Sequence, residues 1–126
     1  MTSIYHSGVL SGIHFSLPQK GSRAVTDHSL PLQVLTMACP AKKMVAQHFH
    51  TPHKRITRSL GECLFVFDGL ARVSLFNTRG RKYKTIMVKS GEGFILFSGG
   101  HEIEFLKKTR AVEFKNGPFI EDKVSL

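Results

Sequence analysis

Three of the seven histidines stand close together, at positions 48, 50 and 53. Neutral imidazole nitrogen is a good ligand for Zn, Ni, Fe and Mn. Side chains alternate faces along a strand, so on a strand His48 and His50 point the same way. Two imidazoles so placed can take two positions around one divalent ion. An isolated His-x-His also arises on any polar strand face, so the pair needs company before it means a metal. Glu62 and His101 are the nearest such company: Glu62 opens the most apolar run of the chain, and His101 follows Ser98-Gly99-Gly100. His53 reads as a solvent-facing loop residue, and His6, His14 and His28 have no partner pattern.

The elements that would position these residues are short apolar runs broken by turn residues, which is the pattern of strands. The clearest is Cys63 to Phe67, then Asp68-Gly69, then Leu70 to Phe76. Asp-Gly between two β-rich runs predicts a hairpin with a type I′ turn. Further strands are expected at Tyr83–Val88, Phe94–Phe97, His101–Leu106 and Ala111–Lys115. Leu32 to Ala38 and Met44 to His50 read as strands ending near Pro40 and Pro52, with short strands within 4–10 and 12–17. No segment reads as a helix. Seven to ten strands in 126 residues predict one all-β domain, a sandwich or a barrel.

The order of these residues resembles the cupin family, whose two motifs are G-x5-H-x-H-x3-4-E-x6-G and G-x5-P-x-G-x2-H-x3-N. His48 and His50 match the first pair of histidines, Glu62 and Gly69 the E-x6-G half, and Gly91 and His101 the ends of the second motif up to its histidine. The likeness covers roughly residues 44 to 106. Eleven residues separate His50 from Glu62 instead of three or four, Lys42 stands where the leading glycine belongs, and the second motif is one residue short. Gly99-Gly100 replaces P-x-G, and Glu104 or Phe105 replaces the final Asn. The resemblance implies a cupin-type double-stranded β-helix, a jelly-roll barrel spanning 1–126. It implies one divalent metal ion (Fe, Mn, Ni or Zn) held by His48, His50 and His101, with Glu62 as a fourth ligand. It also implies a homodimer. Cupins include isomerases, epimerases, dioxygenases, decarboxylases and plain binders, so the reaction stays open.

Lys and Arg number 18 against 9 Asp and Glu, a formal charge of +9. That excess suits anionic partners, although basic turns also serve surface solvation. Arg55 and Arg58 lie in the insert between His50 and Glu62, where they could hold an anionic substrate group. Aromatic residues are sparsely interleaved with the basic ones and Trp is absent, so a stacking platform for single-stranded nucleic acid is not evident. Three readings follow: a metal-dependent enzyme on a small anionic molecule such as a sugar nucleotide, a non-catalytic ligand or metal binder, and a basic β-barrel binding nucleic acid. Tyr83 and His53 are the only general-base candidates.

Leu64 and Val66 share a strand face with Glu62, and Cys63, Phe65 and Phe67 take the other. One apolar face is expected to line a barrel cavity, and the other to need a second sheet or a partner subunit. Two cysteines give no disulfide framework, so reduced, semi-buried thiols are expected. The opening residues lack a basic region followed by an apolar run, and no apolar stretch approaches ~18 residues. A cytoplasmic protein without a membrane span is the expectation.

Overall fold

The computed structural model describes residues 1–125. They form ten strands: β1 (Thr2–His6), β2 (Val9–Ser16), β3 (Gly21–Ala24), β4 (Leu35–Ala38), β5 (Glu62–Asp68), β6 (Leu70–Phe76), β7 (Lys82–Lys89), β8 (Glu92–Leu96), β9 (Gly100–Phe105) and β10 (Arg110–Lys115). Every pairing is antiparallel, and among the described residues there is no helix. The all-β expectation holds. The sheets do not close into a barrel. A five-stranded sheet in the order β1-β2-β8-β5-β10 faces a three-stranded sheet in the order β7-β6-β9, and β3-β4 is a separate ribbon.

The core follows from alternation. Leu64 and Val66 on β5, with Phe94 and Leu96 on β8, meet Ala71, Val73 and Leu75 on β6 and Ile86 and Val88 on β7. Val66, Leu75 and Val88 are fully buried, each contributing about 1.5–3 kcal/mol. The face expected to line a cavity is therefore packed solid against the smaller sheet. The opposite face, with Ile13, Phe15, Cys63 and Ile95 buried, is covered by Val25, Leu30, Leu32 and Val34 of the same chain. No partner is needed there, although Phe67 and Phe114 at the β5–β10 margin stay exposed.

The Asp68-Gly69 hairpin is not formed. β5 and β6 lie in different sheets, and the chain turns a corner between them at Gly69. A type I′ turn needs positive φ at both central residues; here Gly69 alone has it, at 115°. The corner is tied to two others. Gly69 N donates to Ser90 Oγ at 3.1 Å, beside the β7–β8 corner. Leu70 N donates to Thr109 Oγ1 at 3.1 Å, beside the β9–β10 corner. Three crossings between sheets thus close one end of the sandwich. The other end is where β5 and β9 begin and where β6, β8 and β10 finish.

The strand expected over Met44–His50 is also absent: residues 43–58 carry no regular structure and are exposed. Alternation explains it. Met44, Ala46, His48 and His50 would share one face, Val45, Gln47 and Phe49 the other, and neither is a clean apolar face to bury. With no strand, the shared face reasoned for His48 and His50 does not exist as such.

Candidate functional site

The open end of the sandwich brings Glu62, His101, Glu113 and Lys115 within reach of one another. Glu62 opens β5 on the same face as Leu64 and Val66, and its register partners are Leu96 and Lys115. Its burial, 9% exposed, comes from the sheet opposite. His101 is the second residue of β9 on that sheet, paired with the fully buried Leu75. The pleat therefore sends both side chains into the gap between the sheets. His101 Nε2 stands 3.4 Å from Glu62 Oε1, with the imidazole about 30% exposed. Lys115 Nζ is 3.8 Å from Glu62 Oε2 and 2.9 Å from Glu113 Oε1.

The charges set the state of the carboxyl. Contact with the His101 imidazole holds Glu62 below the usual carboxylate range against the opposing pull of burial, and Lys115 adds to the lowering. Glu62 is thus an ionised oxygen donor at neutral pH, nearly buried and touching an imidazole nitrogen. That donor pair, one carboxylate and one imidazole, suits a borderline divalent metal. Lys115 competes for the carboxylate, but it has Glu113 as a nearer partner.

The other two expected ligands stand apart. His48 and His50 are exposed, their rings 5.0 Å apart and edge-on. His48 Nδ1 is 2.8 Å from the Ala46 carbonyl, leaving Nε2 free for other contacts. His53 Nε2 contacts Thr51 Oγ1 at 3.0 Å, on the same exposed segment. Arg55 and Arg58 are exposed further along it. Among the described residues no three His, Cys, Asp or Glu side chains are grouped to hold an ion. The structure brings together Glu62 and His101, across the two sheets, and leaves His48 and His50 on the segment leading to them.

That segment is fastened at its exit. Asn116, just after β10, accepts from Gly61 N at 2.7 Å and donates to the Ser59 carbonyl at 2.9 Å. Residues 59–61 are thus held beside Glu62. Upstream, Met44, Val45, Phe49 and Ile56 are 63–87% exposed.

Sequence reasoning missed two features of this end. One is Asn116, whose side-chain role has no sequence signature. The other is a cleft lined by His6, Ser11, Asn77, Arg79, Tyr83 and Ser98, among others. The His6 and Tyr83 rings stack there with centroids 4.1 Å apart. Their positions, 77 apart in the chain, offered no spacing to read.

Compared with family models, with curated proteins and with solved structures, the chain has no significant match in any of the three. Among the described residues no helix is long and apolar enough to cross a membrane.

Proposed function

We propose that this chain is a small metal-binding protein of the cupin kind, acting on or holding a small anionic molecule. The observation that carries the reading is the Glu62–His101 pair. Two residues 39 positions apart, matching two separate cupin motifs, meet at 3.4 Å between facing antiparallel sheets. In this reading they form the rigid half of the centre, and His48 and His50 supply the other half when segment 41–60 docks over the open end. Chain length permits it: twelve steps from His50 to Glu62 span up to roughly 40 Å. The exposed Met44, Val45, Phe49 and Ile56 favour it, because docking would take their apolar surface out of water.

The bound ion, whether Fe, Mn, Ni or Zn, would act as a Lewis acid towards a ligand oxygen. The chain's own residues would do the rest. Glu62 lowers the net charge of the centre, His101 fixes its position on β9, and Arg55 and Arg58 come with the segment to hold an anionic group. An arginine fork suits carboxylate or phosphate because it can donate two parallel hydrogen bonds. The same likeness implies a homodimer. Exposed Phe67 and Phe114, on one face beside the free edge of β10, are where a second copy would bury apolar surface.

The test is a screen of small anionic metabolites, nucleotide sugars included, against metal-loaded protein. Turnover should vanish in His101→Ala. In Arg58→Lys it should persist with a raised KM, because a remote clamp binds ground state and transition state alike. Turnover undiminished in His101→Ala would place the chemistry elsewhere. Binding without conversion would leave a ligand-binding module.

A further inference from the structure

The cleft at the open end is built from three turns that meet. The β1–β2 turn supplies His6 and Ser7, the β6–β7 turn supplies Asn77 to Arg79, and the β8–β9 turn supplies Ser98 and Gly99. It is an open cleft of about 430 Å³, within the size range of small-ligand pockets. Neither Glu62, His101 nor segment 41–60 lines it, so it is separate from the metal centre proposed above.

Three observations say what it could hold. First, the stacked His6 and Tyr83 rings give it a flat aromatic wall. Second, the wall is held in place: Tyr83 Oη donates to Oγ of the buried Ser11 at 2.7 Å. Third, Arg79 lines the cleft, and no acidic residue occurs in the chain from Asn77 to Lys89. Asn77 Oδ1 accepts from the backbone N of Arg79 and of Arg81, at 2.9 and 3.0 Å, which fixes the turn. Among the described residues neither His6 nor Arg79 faces a carboxylate at ion-pair distance, unlike Arg72 and Arg110. Ser7 and Gly8, at φ 50° and 76°, have the positive φ at both central residues that a two-residue type I′ turn requires, and this turn carries His6 to the cleft.

We propose that this cleft binds a small phosphate ester carrying a flat ring, of the size of a nucleoside monophosphate. The ring lies against the His6–Tyr83 wall, whose position the Tyr83–Ser11 hydrogen bond fixes, and Arg79 takes the phosphate through charge-assisted hydrogen bonds.

Calorimetric titration at low salt tests it with adenosine and uridine monophosphates, their nucleosides and inorganic phosphate as probes. At least one monophosphate should bind saturably, at least about tenfold more tightly than its nucleoside or phosphate alone. Arg79→Ala should weaken it about tenfold, and Tyr83→Phe by a smaller factor with the sandwich intact by circular dichroism. Arg81→Ala removes an equal charge outside the cleft and should change little. His101→Ala and Glu62→Gln should leave this binding unchanged, which separates its failure from failure of the metal centre. No saturable binding of any monophosphate would overturn the proposal. So would an equal loss in Arg79→Ala and Arg81→Ala, which would mean diffuse charge attraction only.

Discussion

At the scale of single residues, burial sorts the two cysteines that composition could only count. Cys63 sits in the outer core of the five-stranded sheet, 3% exposed, and desolvation pushes its thiol up to about 11. Cys39 is exposed. Thiolate is the reactive form, so native protein should give one fast equivalent with a thiol reagent, and unfolded protein two. Two fast equivalents from native protein would contradict this burial. The charged margin of β10 carries a second prediction. Arg110 donates to Asp68 Oδ2 from Nε at 2.8 Å and from Nη2 at 2.6 Å, and holds the Asp68 carboxyl below its usual value. A depressed carboxyl stabilises the fold above its unfolded pKa, about 4, and loses that contribution as pH falls through the depressed value. The Tm difference between wild type and Arg110→Ala should be small and steady near neutrality. It should shrink with added salt and vanish in acid. A difference that grew in acid would show that the pair does not act through Asp68 ionisation.

At the scale of elements, turn chemistry misled at Asp68-Gly69 and strand patterning at Met44–His50. The runs at 83–88, 94–97, 101–106 and 111–115 each overlap an observed strand, because alternation on a half-buried surface is a local signal. Asp68-Gly69 marked a real reversal, yet local sequence cannot say which sheet the next strand joins. Here the corner is tied to Ser90 and Thr109, both brought in from distant parts of the chain. Gly69 is needed for a tertiary reason as well as for its φ of 115°. A Cβ there would lie 2.6 Å from the Thr109 Cα. Gly69→Ala should therefore cost about 2 kcal/mol or more, left-handed strain plus displacement of the third corner. Gly80, at φ 75° with open space around it, is the comparison; its alanine variant should cost about 1 kcal/mol. Denaturant midpoints of the two variants check the difference, and equal losses would mean that the corner contact is slack. Met44–His50 shows the converse limit. A strand exists by pairing, and a segment with no clean apolar face has nothing to make a neighbour accept it.

For the molecule as a whole, three tied corners close one end of the sandwich, and the other end carries the Glu62–His101 pair with Asn116 beside it and, apart from them, the Tyr83–Ser11 cleft. The Glu62–His101 half of the candidate site was legible through the motif resemblance, which pairs Glu62 with Gly69 and His101 with Gly91, on strands that the alternation marks. Their meeting needed the two-sheet topology, and the remaining half hangs on where segment 41–60 comes to rest. Metal content is therefore the measurement that bears most directly on the account. Protein loaded separately with iron, manganese, nickel and zinc, then freed of excess, should keep about one equivalent of at least one metal. His48→Ala/His50→Ala and Glu62→Gln/His101→Ala should each lose it while keeping the wild-type far-ultraviolet circular dichroism. Full retention by the His48/His50 variant, or no metal held by the wild type under any loading, would contradict a centre assembled from the two halves.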